Sequence, residues 1–130
     1  MKKEILNVFA EQEKWMNSAN QTTHIENQKQ FEMYNTAIKE EVKELQDAID
    51  ANDKTEILDA IIDIIVVAIG AGHSMGFNLE KAFQEVMRTN WNKLQYDKNG
   101  KLKLRADGKI LKPDGWQAPN FEMCMNKFFE

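Results

Sequence analysis

Apolar residues recur every three or four positions in four stretches of this chain, and polar breaks separate the stretches. Over about residues 4–18, Ile5, Val8, Phe9, Gln12 and Met16 fall on one stripe, which predicts an amphipathic helix. The run from Ser18 to Thr23 ends it. A second helix is predicted over about 25–51, with Phe31, Tyr34, Ile38, Leu45, Ala48 and Ile49 on its apolar face. Ala51 to Thr55 reads as a turn, with Asp53 or Thr55 as the next N-cap. The third helix, about 55–74, is apolar almost all round, from Ile57 through Ile69, so it is expected to be buried on most sides. Its apolar run, Ile57 to Gly72, contains Asp59 and Asp63 and falls short of the roughly 20 residues of a membrane span. Gly72 to Gly76 is read as its end. Asn78 then caps a fourth helix, about 79–92, with Leu79, Phe83, Val86 and Met87 inward.

Beyond Lys93 the texture changes. Asn99-Gly100 and Asp107-Gly108 are turn signals eight residues apart, and Leu102 and Leu104 alternate between them. A small hairpin or ordered arm fits this stretch better than a helix. The expected architecture is all-α: a bundle of about four helices with a C-terminal lysine-rich arm, completed by oligomerisation. One domain is expected to span residues 1–130, with a helical core over about 4–92 and the arm over about 93–121.

Composition narrows the class. The chain has 130 residues, 42% hydrophobic and 29% charged, with a formal net charge of −4, and its mean hydropathy is −0.59. That balance is expected of a soluble domain and is a poor match to nucleic-acid binding, which usually brings a basic excess. Cys124 is the one cysteine, so no internal disulfide can form, and no apolar signal region follows Met1. A cytoplasmic protein is the expectation.

Charge is segregated along the chain. From Glu40 to Asp63 there are nine acids against two bases, and from Lys93 to Lys112 seven bases against two acids. This suggests cation binding in the first block and anion binding in the second, although two solvated surfaces would read the same way. The position of particular acids sharpens the choice. At 100° per residue, Glu41 lies about 40° from Ala37 and about 20° from Ala48, which places it on an apolar stripe, with Glu44 about 60° away. Glu56, Asp59 and Asp63 share an arc of about 60° on the otherwise apolar third helix. Burying ionised carboxylates costs several kcal/mol unless a base or a metal pairs with them. Lys43 and Lys54 sit off these stripes. Carboxylates with no Cys or His nearby suit Mg²⁺, or Mn²⁺ as a substitute, rather than Zn²⁺. A solvent-facing groove, or pairing with lysines of the arm, is the plainer alternative.

The ordered combination of these elements resembles a known family. Glu40-Glu41-Val42-Lys43-Glu44-Leu45 resembles the E-E-x-x-E helix of the MazG-like, all-α nucleoside triphosphate pyrophosphohydrolases, and Leu58 to Val67 resembles their second acidic helix. Thr89-Asn90-Trp91-Asn92-Lys93 is similar to a family N-x-x-K element. The stretch from Asp97 to Pro119 resembles the lysine-rich tail of the shorter phage-type and bacterial members. The resemblance covers roughly residues 30–121. It departs from the family at the second motif, usually E-x-x-D. Glu56-Ile57-Leu58-Asp59 matches in letters but lies close behind Glu44, while Asp63 has the usual spacing with Ala60 where a Glu is expected.

The resemblance implies hydrolysis of a ribo- or deoxyribonucleoside triphosphate to the monophosphate and pyrophosphate, for nucleotide-pool control or clearance, by a homodimer or homotetramer. It implies Mg²⁺ on Glu41, Glu44 and Asp63 first, Asp59 next and Glu56 last. A spare carboxylate, Glu40 or Glu44, would serve as general base. Asn90 and Lys93 would contact phosphate or sugar, and Arg105, Lys109 and Lys112 the triphosphate. Phosphoribosyl-ATP pyrophosphohydrolase shares the acidic helical scaffold, and the long lysine-rich tail speaks against it. A helical interaction module docking a basic partner on the acidic face is the alternative of a different class. His24 and His73 stand alone and read as structural. Gly70 to Gly76 lacks the Lys-Ser/Thr of a phosphate-binding loop. Trp15, Trp91 and Trp116 either stack on a base or pack.

Overall fold

A side chain closes the start of every expected helix. The computed structural model describes residues 4–129 and contains α1 (Val8–Ser18), α2 (Gln28–Asp50), α3 (Lys54–Ser74) and α4 (Leu79–Trp91). The Asn7, Asn27, Asp53 and Asn78 side chains accept hydrogen bonds from the free backbone N–H groups of the first turns. Asp53 rather than Thr55 is therefore the cap of α3. α1 starts later than the apolar stripe suggested because Asn7 takes the cap, which leaves Ile5 and Leu6 outside the helix and exposed.

The chain is organised around α2 and α3, an antiparallel pair in extensive contact, with α1 and α4 against the C-terminal part of α3. The joint is tight at Gly70, where a Cβ would stand 2.2 Å from the Tyr34 ring. Tyr34 is buried with Met16 and Ala71, and its hydroxyl donates to Gln21. Gly70 is thus a packing seat inside α3, which runs on to Ser74.

Beneath α1, Lys127 Nζ lies 3.3 Å from Glu13 Oε1 and 3.1 Å from His73 Nδ1, and also donates to the Thr23 carbonyl. His73 Nε2 reaches the Phe9 carbonyl at 2.8 Å. With Nε2 donating there, Nδ1 accepts from the lysine, and burial followed by the nearby Lys127 charge keeps the His73 pKa below its ordinary value. The structural reading of His73 therefore agrees with its surroundings. Burial raises the pKa of Glu13, but the charge and hydrogen bond of Lys127 more than offset this and hold it low.

Two expectations about burial are corrected. α3 is not covered on most sides: Leu58, Ile61, Ile62, Ile65 and Val66 are exposed, Leu58 by 62%. The chain has only α2 to lay along the N-terminal two-thirds of this helix. On α4, Phe83 is 57% exposed and meets the Phe9 ring at a tilt of 52°, and Met87 is also exposed. The length argument about α3 is corrected as well. At 21 residues, with a mean hydropathy of 1.8 over its most apolar window, it is long and apolar enough to cross a membrane by length and composition. Core helices of soluble proteins meet the same measure.

Beyond α4 the arm folds as two successive reversals. Tyr96 bridges Leu102 and Leu104 bridges Ile110, both antiparallel. Gly100 and Gly108 hold the turns at φ of 77° and 84°, a conformation that favours glycine. Two single-turn 3-10 helices, Glu122–Cys124 and Lys127–Phe129, follow. No strand longer than a bridge forms among the described residues.

Candidate active site

Four of the five acids singled out for metal binding share one neighbourhood. Burial, contact with Glu44 and the charges of Glu44, Asp63 and Asp59 all push the Glu41 carboxyl up. Burial, then the charge of Asp59, then that of Glu44 push Asp63 up. Glu41 and Asp63 are half-buried while Glu44 and Asp59 are exposed, so the group lies at the surface of the α2 and α3 pair. Glu41 Oε2 is sealed from solvent and has no hydrogen-bond partner. Glu56 stands apart. It is exposed in the first turn of α3 and is not among the charges that act on Glu41 or Asp63. Glu40 is exposed and likewise outside the group.

The residues fit a hard divalent cation. Repelling carboxylates with an unpartnered buried oxygen are an expensive arrangement for a protein alone, and oxygen ligands match Mg²⁺ chemistry. Among the described residues, no three His, Cys, Asp or Glu side chains are closed into a metal-holding group.

All five residues assigned to the substrate meet elsewhere, on one cleft. Asn90, Lys93, Arg105, Lys109 and Lys112 line a cavity of about 610 Å³ between the end of α4 and the arm. Met87, Trp91, Leu94 and Ile110 supply its apolar wall. The volume is that of a small-molecule site. Its cations are held in place individually. Lys93 and Lys112 sit over the Trp116 ring, with Nζ 5.0 and 4.6 Å from its centroid. Trp116 is itself fixed by its indole N–H, which donates to the Thr89 carbonyl at 2.7 Å. Arg105 is forked against Asp107 of its own turn. No acid of the first group lines the cleft.

Sequence reasoning missed Trp116 as the seat of two lysines and Asp107 as the partner of Arg105. The only signal for the first was an aromatic residue inside a lysine-rich arm, and that pattern alone does not separate stacking on a ligand from stacking on a side chain.

The structure thus has two features to account for, a helical hairpin that gathers carboxylates and a separate basic cleft of small-molecule size. Comparison with known proteins gives the family. The phosphoribosyl-ATP pyrophosphohydrolase family model matches residues 9–90, and the chain belongs to this family, within the MazG-like all-α pyrophosphohydrolases. The family is one of pyrophosphohydrolases, which act on acid anhydrides. A 43-residue stretch is 54% identical to "Uncharacterized protein L479" of Acanthamoeba polyphaga mimivirus; it covers 33% of this chain and 17% of that protein. The chain thus corresponds to a small part of that relative.

Proposed function

We propose that this protein converts a ribo- or deoxyribonucleoside triphosphate to the monophosphate and pyrophosphate, with Mg²⁺ held by Glu41, Glu44, Asp59 and Asp63. The observation that carries the reading is the Glu41 oxygen, buried without a partner among three other carboxylates. When bound, the cation would neutralise phosphate charge and make a nearby water more acidic. The chain's own contributions are then separable. Arg105, Lys109 and Lys112 grip the phosphates with charge-assisted hydrogen bonds. Asn90 and Lys93 orient the sugar end or the α-phosphate. An exposed carboxylate, Glu40 or Glu44, accepts the proton of the attacking water.

The bare face of α3 is read as the contact with a second copy. Leu58, Ile61, Ile62, Ile65 and Val66 together present more apolar side chain than a soluble single chain keeps in water. The protein is therefore a dimer or a tetramer in this proposal, with α3 a core helix rather than a span, and it works in the cytoplasm where its substrates are.

The deciding experiment incubates the purified protein and Mg²⁺ with ribo- and deoxynucleoside triphosphates and resolves the products by chromatography. Monophosphate with pyrophosphate is expected. Diphosphate with orthophosphate, or no turnover across the panel, refutes the proposal. The family match favours a second reading, phosphoribosyl-ATP as substrate. Including that compound in the panel separates the two, since the second reading requires it to be turned over far faster than any simple triphosphate.

A further inference from the structure

We infer that Trp91 is the platform on which the nucleobase of the substrate stacks, an inference that rests on the nucleotide reading above. The cleft has two tryptophans in different situations. Trp116 is occupied: its indole N–H is bonded to Thr89 and its ring carries Lys93 and Lys112. Trp91, on the apolar wall, is 64% exposed. Among the described residues its ring makes no aromatic or cation–π contact and its N–H no hydrogen bond, whereas the exposed Phe83 pairs with Phe9.

A large indole left bare at the C-terminal end of α4 has no role in holding the helix. Its neighbours on the wall, Met87, Leu94 and Ile110, are apolar and cannot bind phosphate. The same cleft holds Lys109 and Lys112, which can. A ligand filling it must then be anionic at one end and flat and apolar at the other, which describes a nucleoside polyphosphate rather than an inorganic one. Aromatic side chains stack on any base, so Trp91 adds affinity for bases as a class. Asn90, next in the chain and lining the same cleft, offers one amide donor and one acceptor for choosing among them.

The test measures binding, not turnover. Calorimetry in Mg²⁺ would compare the α,β-methylene triphosphate analogues of the common nucleosides with inorganic tripolyphosphate, using wild type, Trp91→Ala, Trp91→Phe and Trp116→Ala. Trp91→Ala should weaken the nucleotide analogues by about tenfold or more and leave tripolyphosphate within about twofold of wild type. Trp91→Phe should restore most of the loss. Trp116→Ala, which releases the two lysines, should weaken both kinds of ligand. Equal losses for nucleotide and tripolyphosphate in Trp91→Ala, no loss for either, or a change in assembly mass by light scattering each overturn the platform. Any of these leaves the pyrophosphohydrolase reading standing if the products are still monophosphate and pyrophosphate. Failure of wild type to bind any nucleotide analogue overturns both.

Discussion

Glu41→Gln is expected to abolish turnover and at the same time make the metal-free protein more stable. Glu41 is half-buried, its Oε2 lacks a partner, and Glu44, Asp59 and Asp63 surround it. Burial and those charges raise its folded-state pKa above the unfolded value, so the native state holds the proton more tightly than the unfolded chain. The sign follows. Below the unfolded value both states are protonated and no penalty exists. Stability is lost as pH rises from the unfolded value through the folded pKa. An unsatisfied buried acceptor costs about 1–3 kcal/mol, and screening at the surface reduces the like-charge part, so about 1 kcal/mol is a fair magnitude.

Glutamine keeps the shape, carries no charge and can donate to a neighbouring carboxylate. In EDTA at pH 7 the variant should therefore melt roughly 3–5 °C higher than wild type by circular dichroism, at one fixed protein concentration. The gap should close near pH 4. Added Mg²⁺ should stabilise wild type, by about 2.7 kcal/mol at a hundredfold excess over its dissociation constant, and leave the variant nearly unmoved. A variant less stable than wild type in EDTA would show that Glu41 is a structural hydrogen-bonding residue, and the cation assignment would fall with it.

The remaining expectations are shorter. Asp59→Asn should cost nearly as much activity as Asp63→Asn and Glu56→Gln little, because Glu56 stands outside the carboxylate group; steady-state assays giving the reverse order would mean the wrong acids were chosen. Replacing Arg105, Lys109 and Lys112 together by Ala should lower kcat/KM by at least about 100-fold with little change in Tm, and an unfolded triple variant would make the arm a strut. Ile62→Glu on the bare face of α3 should drive the assembly toward monomers in light scattering, whereas a monomeric wild type at micromolar concentration would refute the interface. His73 has a folded pKa below its unfolded one, with Lys127, Glu13 and His24 facing it, so stability should fall as pH drops below about 6.5; urea melts of His73→Gln that keep the same pH slope would assign it to another group.

Much of the helical frame was legible because each signal was local. An Asx residue at the head of an apolar period is a cap wherever the chain goes next, and Asn78 capped α4 as expected. The acids were legible for a related reason: a carboxylate on an apolar stripe stands out against its own helix. What could not be read was anything decided between segments. Phe83 lies on the apolar period of α4, yet its burial depends on which neighbours reach it, and the ring it meets, Phe9, leaves it 57% exposed. The role of Trp116 depends on two lysines placed 23 and four residues before it along the chain, and no periodicity connects them. Lys127 was passed over entirely, since a lone lysine near a terminus looks solvated until His73 and Glu13 are found beneath it.

The division of the chain also explains why the family does not settle the substrate. The matched stretch, residues 9–90, contains all four gathered carboxylates and ends at Asn90, the first residue of the N-x-x-K element. The basic wall of the cleft, Lys93 through Lys112, and the tryptophan that seats two of its lysines lie beyond it. Chemistry on a phosphoanhydride needs the acids whatever is attached to the phosphates. Recognition of what is attached belongs to the wall that the anionic and apolar ends of the ligand touch. Substitutions within α2 and α3 should therefore change whether any triphosphate is cleaved, through kcat, for all substrates alike. Substitutions at Trp91 should change which triphosphate is cleaved, through the ratio of kcat/KM values between substrates, whereas those at Arg105, Lys109 and Lys112, whose proposed contacts are the phosphates common to all, should lower every substrate alike. A substrate panel run on a carboxylate variant and on a Trp91 variant decides the matter: a carboxylate variant that reorders the substrates, or a Trp91 variant that lowers all of them equally, would show that the two regions do not divide the work in this way.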